Sequence, residues 1–261
     1  MSKSITKITT KSKDFFVNFV IKSFAKYFWR QHPETALRYL PVVRELKKAH
    51  LEDSKILEVG SGSLGITPYL KRKIDGLDID FSGPPSPLIN KIKGEADNLP
   101  FRKNSYEVVV SVDVIEHLEK NRREKAIFET LRVVKKLALI VLPVGENSEK
   151  QDRKLHFYWQ KIFKEKNQYL LEHVENGLPK INEILVLIDK SLRKLGKIGK
   201  VSSSPILNLQ VRNILMRTWI TKNKFIYYLY LKGYLLLIPF LKFANFGNCY
   251  RRIFIIELAN R

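Results

Sequence analysis

From residue 55 onward, short apolar runs alternate with stretches whose apolar residues recur at helical spacing. The run 106–112 (YEVVVSV) is rich in β-branched residues, which is typical of a strand that is buried on both faces of a parallel sheet. This alternation predicts an α/β fold with a doubly wound, mostly parallel sheet of seven strands. The predicted strands are 55–59, 74–79, 92–94, 106–112, 137–142, 198–201 and 252–258, with helices near 65–73, 121–136 and 180–195.

Helical patterns also flank the predicted sheet. Residues 14–30 place apolar side chains on one helical face, and a second helix is predicted at about 34–49. We therefore expect a basic tail and N-terminal helical cap, a core, a basic aromatic helical insertion before the last strand, and the closing strand. Their predicted boundaries are 1–50, 51–203, 204–249 and 250–261.

The predicted insertion contains an unusually apolar stretch, 225–246 (FIYYLYLKGYLLLIPFLKFANF). A membrane span needs about 20 apolar residues with few or no charges. Because two lysines and a proline interrupt the stretch, an interfacial or core helix pair is favoured over a span. We expect this stretch to be the element that would touch an anionic membrane surface.

The formal charge of +21 is unevenly distributed. Residues 51–150 carry 16 basic and 16 acidic side chains, whereas residues 1–50 carry 11 against 3 and residues 151–261 carry 20 against 7. The flanks therefore favour an anionic partner, unless the surface is simply lysine-rich. The single cysteine, Cys249, excludes an internal disulfide, and we expect a cytoplasmic protein, with the inner membrane face as a peripheral location.

A glycine-rich turn follows the first predicted strand. Gly60, Gly62 and Gly65 fit the spacing G-x-G-x-x-G, which lets the backbone turn tightly and approach a ligand, but the pattern also occurs in dinucleotide-binding enzymes. Glu58 lies just before the glycines, where its charge would repel a pyrophosphate and attract a cationic amino-acid group. Asp78 ends the next strand, where a carboxylate can accept hydrogen bonds from both ribose hydroxyls, although Asp80 is a nearby competitor.

Four segments in succession, LEVGSGSLG, GLDID, GEADNLPF and SYEVVVSVDVIEHL, resemble the motifs of class I S-adenosylmethionine-dependent methyltransferases, especially the small-molecule group related to quinone-biosynthesis enzymes. The resemblance covers about residues 55–143 and implies a Rossmann-like fold and S-adenosylmethionine as the cofactor. It departs from the pattern at Ser63 and Leu64, where many relatives place a third glycine, and at Glu95, where aspartate is commoner.

The resemblance also implies roles for individual residues. Glu58 and Gly60 would line the methionine end of the cofactor, and Asp78 would hold the ribose. Glu95 with the Ala96 amide would read the adenine, and Asp113 would follow the fourth strand at the cofactor edge. No metal site is predicted.

Methyl transfer from a sulfonium is an in-line displacement, so a general base is optional. If the acceptor is a hydroxyl, His117, His156 and His173 have suitable ordinary pKa values. His117 is expected near the carboxyl ends of the strands, and His156 is expected in a substrate loop after the fifth strand. His156 is the favoured candidate and His117 the second, whereas His173 can equally cap or pack a helix.

The acceptor itself cannot be read from the motifs, and binding it is expected to fall to the cap and to residues 144–248. The favoured hypothesis is a small or lipid-linked acceptor. RNA, with the basic flanks along its phosphates, is less favoured because the C-terminal aromatic residues form apolar runs. A non-catalytic binding module and an NAD-dependent reductase are the remaining alternatives.

Overall fold

The computed structural model describes residues 31–259, apart from the side chain of Lys242. The helix predicted over 14–30 lies outside the described residues. The core is one sheet of seven strands: β1 (Ile56–Val59), β2 (Ile74–Asp78), β3 (Ile89–Lys93), β4 (Tyr106–Val112), β5 (Val134–Pro143), β6 (Gly199–Asn208) and β7 (Cys249–Leu258).

The strands lie in the order β3-β2-β1-β4-β5-β7-β6. β7 runs antiparallel to both of its neighbours, β5 and β6, and the other adjacent pairs are parallel. The predicted seven-stranded, mostly parallel, Rossmann-like sheet is therefore confirmed. Because the strand order reverses between β1 and β4, the carboxyl ends of these two strands open onto a crevice, which is where ligands bind in sheets of this type.

Helices cover both faces of the sheet. They are α1 (Pro33–Lys48), α2 (Thr67–Leu70), α3 (Lys120–Val133), α4 (Glu146–Phe163), α5 (Gln168–Asn176), α6 (Ile181–Leu195), α7 (Leu209–Trp219), α8 (Lys224–Tyr228) and α9 (Tyr234–Leu241). A 3-10 turn spans Ile115–His117, a π-helical turn joins α8 to α9 at Leu229–Gly233, and a second 3-10 turn spans Lys242–Ala244.

The side chains of the central strands alternate between two apolar layers. On β4, Val108 and Val110 pack with the layer that includes α1 and the insertion, whereas Val109 packs with α3 and α6. All three valines are fully buried. Each such side chain stabilises the fold by about 1.5–3 kcal/mol, so the two layers hold the strand ends of the crevice in a fixed arrangement.

Several elements differ from their predicted bounds. The helix predicted near 65–73 is reduced to the single turn α2, because Lys71 adopts a left-handed conformation (φ 58°) and ends it. β6 continues to Asn208, past the predicted domain boundary at 203. The sequence pattern did not predict α4 or α5, and α4 occupies the position where a substrate loop was expected.

Candidate functional site: the cleft at the carboxyl ends of the strands

The glycine turn after β1 is held from two sides. The Gly60 N–H donates to the Leu77 carbonyl at 2.8 Å, and the Gly62 N–H donates to Asp78 Oδ2 at 2.6 Å. Gly60 has φ 75°, and a Cβ atom there would overlap the side chain of Val114, so this position requires glycine. The turn and the end of β2 are thus fixed to each other at the edge of the crevice.

Glu58 lies behind the glycine turn and not on the cleft, which differs from the expected place at the methionine end. Its carboxylate is fully buried and accepts hydrogen bonds from the Tyr39 hydroxyl at 2.7 Å and from the Ile66 N–H at 2.8 Å. Gly65 packs directly against it, since a Cβ on Gly65 would collide with the carboxylate. Burial raises the pKa of Glu58 to about 7. The Glu58 side chain therefore supports the glycine turn. Because it does not face the cleft, its charge does not exclude a ligand with a pyrophosphate group.

Asp78 lies on the cleft, as predicted from its position at the end of β2. Besides Gly62, its carboxylate accepts a hydrogen bond from the Asp80 N–H at 3.0 Å. A carboxylate has about four acceptor positions, so Asp78 keeps capacity for hydroxyl donors. Asp80 is occupied by the Ser82 hydroxyl and N–H, which makes Asp78 the better placed of the two competitors.

Glu95 and Ala96 also line the cleft, at the end of β3. The Glu95 side chain is paired with Arg122, which donates as well to both oxygens of Asp97 at 2.9 and 2.7 Å. These hydrogen bonds lower the pKa of Asp97. The sequence reasoning missed Arg122 and Asp97, although the acidic pair in GEAD was visible; the arginine lies on α3, 25 residues after Asp97.

The cleft has a volume of about 1030 Å³. We call the part of the cleft next to the ends of β1, β2 and β3 its first half, which is lined by Gly60, Gly62, Asp78, Glu95 and Ala96. We call the remainder of the cleft its second half. It is enclosed mainly by aromatic, apolar and basic side chains from α1 and the residue before it, α5, α7, the π-helical turn and β7, which are His32, Arg38, Leu170, Arg212, Met216, Trp219, Tyr230 and Tyr250. Because ligand pockets range up to about 1,000 Å³, the cleft has room for a cofactor and a second molecule.

A buried ion-pair network lines the cleft next to the end of β4. Asp113, which follows β4 with φ 52°, accepts from Arg251 at 2.7–3.1 Å and from Arg38 at 2.5 Å. Glu34 pairs with Arg251 at 2.6 Å. Burial alone would raise the pKa of Asp113, but the two arginines hold it well below its ordinary value, and the pKa of Glu34 is likewise lowered to about 2. Asp113 therefore fixes β7 and α1 to the end of β4.

Tyr250 lies between two guanidinium groups in the second half of the cleft. The Arg212 guanidinium stands 3.3 Å from the ring centre and that of Arg251 4.7 Å, and the hydroxyl donates to Asp152 at 2.7 Å. Arg212 also pairs with Asp152 at 2.8 Å. Burial and the nearby Asp152 raise the pKa of the Tyr250 hydroxyl well above its ordinary value, although the two arginines oppose this, so the hydroxyl is a hydrogen-bond donor and not a base near neutral pH.

The two histidines favoured as bases have different positions. His117 lines the cleft, with Nδ1 2.8 Å from Glu172 Oε2. His156 does not line it: the residue lies within α4, is buried, and has an unpartnered Nδ1. The expectation that His156 occupies a substrate loop is wrong, because residues 146–163 continue as a helix. His173 lines the cleft beside His117.

Residues 57–142 match the family described as a methyltransferase domain. A curated relative is the tRNA (carboxymethyluridine(34)-5-O)-methyltransferase of Arabidopsis thaliana, which is 28% identical over 187 residues. The match covers 68% of this chain and 43% of the relative, so the chain spans less than half the length of that protein.

Solved structures of methyltransferases are among those similar to this chain. One is a possible histamine N-methyltransferase of Thermotoga maritima, with 17% identity, a TM-score of 0.49, and coverage of 94% of this chain and 97% of that chain. Another is phosphoethanolamine N-methyltransferase 2 of Haemonchus contortus with S-adenosylhomocysteine, with 15% identity, a TM-score of 0.45, and coverage of 80% and 49%.

Proposed function

We propose that the chain is a class I S-adenosylmethionine-dependent methyltransferase, whose cleft binds S-adenosylmethionine and transfers the methyl group to a small or lipid-linked acceptor. The cofactor supplies a methyl group on a sulfonium, which is already activated for displacement. The task of the protein is then to hold the acceptor in line with the methyl group and to exclude water. The observation that carries the proposal is a single cleft with the cofactor motifs in one half and an aromatic enclosure in the other.

The residues of the first half fit this cofactor. Gly62 lines the cleft, and among the described residues, apart from its two chain neighbours, no atom stands within 4 Å of the place where its Cβ would be, so the backbone leaves open space beside the turn. Asp78 has acceptor capacity for the ribose hydroxyls. Glu95 and the Ala96 amide would supply an acceptor and a donor to the adenine, with Arg122 fixing the glutamate.

The surface next to the second half favours an amphiphilic acceptor. Lys224–Leu241 is long and apolar enough to cross a membrane by length and composition, with a mean hydropathy of 1.2, yet only 11% of it is buried in the protein. Phe225 is 76% exposed and Phe240 69% exposed. Because Lys224 and Lys232 interrupt the apolar surface, we propose that the segment lies in the interface of an anionic membrane and does not span it.

Liposome sedimentation tests this docking. The full-length protein should sediment with vesicles that contain anionic phospholipid, and the double variant Phe225→Ser/Phe240→Ser should bind at least about tenfold more weakly, since burying each phenylalanine contributes about 1.5–3 kcal/mol. Ile198→Ser/Val186→Ser is the matched control, because both side chains are more than half exposed but lie outside the segment. Equal binding by both double variants, or none by the wild type, would refute the docking.

A second candidate acceptor is RNA, which the similarity to a tRNA methyltransferase and the charge of the C-terminal part favour. Incubation with labelled S-adenosylmethionine and separated lipid, RNA and metabolite fractions distinguishes the two. Label in lipid or small molecules supports the favoured proposal, whereas label in RNA, with binding that weakens steeply with salt, replaces it. Transfer to none of the fractions would contradict both acceptors.

A further inference from the structure

Two histidines face each other in the second half of the cleft. His117 belongs to the 3-10 turn after β4, and His173 belongs to α5. Their Nε2 atoms are 3.4 Å apart. A buried carboxylate, Glu116, precedes His117, and the ligand atoms of the three side chains all lie within 4.8 Å of one another.

The hydrogen bonds on the far side of each ring determine which nitrogen is free. His117 Nδ1 is 2.8 Å from a Glu172 oxygen, and His173 Nδ1 is 2.8 Å from an Asp152 oxygen. An ionised carboxylate only accepts, so each Nδ1 carries the proton and each neutral ring presents a lone pair at Nε2. Two lone pairs at this separation repel each other unless a proton or a cation lies between them.

Glu116 is the third possible ligand. The side chain is fully buried, and within residues 31–259 neither carboxyl oxygen has a hydrogen-bond partner. Among the described residues, the nearby arginines are used elsewhere: Arg251 pairs with Asp113 and Glu34, and Arg123 donates to the backbone carbonyl of Glu116. A buried carboxyl group without a partner stays neutral unless a cation lies beside it, and a metal ion at this place would be such a cation.

From this geometry we propose that Glu116, His117 and His173 bind one divalent transition-metal ion in the second half of the cleft. Two nitrogens bound at about 2.1 Å in tetrahedral geometry are separated by about 3.4 Å, which is the separation of the two Nε2 atoms. Carboxylates that accept from the outer nitrogen of a metal-binding histidine are the usual support for such ligands, and Glu172 and Asp152 occupy that place.

The proposed ligands leave coordination positions open. Three protein ligands with an open site are typical of metal ions that act on a bound molecule, whereas purely structural zinc sites are closed by four protein ligands. His117 and His173 both line the cleft, so the open positions would face the acceptor. The proposal concerns the metal ion alone and does not depend on the identity of that acceptor.

Titration of the chelator-treated full-length protein with Co²⁺ and Zn²⁺ tests the site. We expect one ion per chain, visible absorption bands of Co²⁺ that report nitrogen and oxygen ligation, and displacement of Co²⁺ by Zn²⁺. His173→Gln and Glu116→Gln should each weaken binding by at least about 100-fold, because each removes a direct ligand and even outer partners contribute 10–100-fold. His156→Gln, another buried histidine, should bind the ion as the wild type does.

The titration of the wild type tests the proposal even if a variant fails to fold. Circular dichroism and urea unfolding establish whether each variant is folded. Absence of stoichiometric uptake by the wild type would overturn the proposal and would mean that a proton joins the two rings. Unchanged affinity in folded His173→Gln and Glu116→Gln would also overturn it. Because the readout is metal binding without cofactor or acceptor, a failure of methyl transfer is distinguishable from a failure of this site.

Discussion

The buried carboxylate of Glu58 makes the stability of the protein depend on pH in an unusual direction. Its pKa is about 7 in the folded protein, raised by burial, against an ordinary value of 4.5. Between these two pH values the folded state holds a proton that the unfolded state has released. The free energy of unfolding therefore falls as pH rises from about 4.5 to about 7, and a difference of about 2.5 in pKa corresponds to at most about 3 kcal/mol.

Glu58→Gln isolates this contribution, because glutamine stays neutral while its oxygen accepts from the Ile66 N–H and its amide donates to the Tyr39 hydroxyl. Urea unfolding of the variant and the wild type at about pH 5 and about pH 8 is the assay. The variant should gain up to about 3 kcal/mol relative to the wild type over this range. Glu107→Gln is the control, since the pKa of that glutamate is already lowered by Lys136. If the difference in free energy of unfolding between Glu58→Gln and the wild type is the same at both pH values, the reasoning is refuted.

Two further predictions concern stability. Arg251→Met should cost about 3–5 kcal/mol in urea unfolding, because it removes a buried partner of Asp113, whereas Arg252→Met on the same strand should cost much less; near-equal losses would contradict the role of the network. Gly65→Ala should destabilise the protein by about 3 kcal/mol, from backbone strain and overlap with the buried carboxylate. Gly62→Ala, with the same type of backbone but open space, should cost about 1 kcal/mol, and a reversed order would refute this account.

The sheet could be predicted because its strands are local patterns. The apolar run 106–112 and the glycine turn can each be predicted from a few neighbouring residues. The structure has a strand and a turn at those places. The helix α4 was missed because its sequence, ENSEKQDRKLHFYWQKIF, has few apolar residues at helical spacing in its first half. Its four buried side chains, Ser148, Asp152, Leu155 and His156, include three polar ones.

The side chains that contact the site residues could not be predicted as well from the sequence. Asp78 lies at the end of β2 and lines the cleft, as expected, because the end of a parallel strand fixes its position, and its role at the ribose stays a prediction. Glu58 was misplaced because Tyr39, which covers it, comes from the helical cap 19 residues earlier. His117 and His173 are 56 residues apart, so no ligand spacing could indicate that they meet. Contacts between distant elements depend on how the helices pack, which the pattern along the chain does not specify.

Calorimetric titration with S-adenosylmethionine tests the central claim most directly, and Asp78→Ala is the informative variant. We predict one site per chain in the wild type, and a loss of affinity of at least about tenfold in Asp78→Ala, because a hydrogen bond to a charged group contributes about 1.5–3 kcal/mol. Asp80→Ala, two residues further along the same edge, should bind nearly as the wild type does. Absence of binding by the wild type, or equal affinity in Asp78→Ala, would contradict the account.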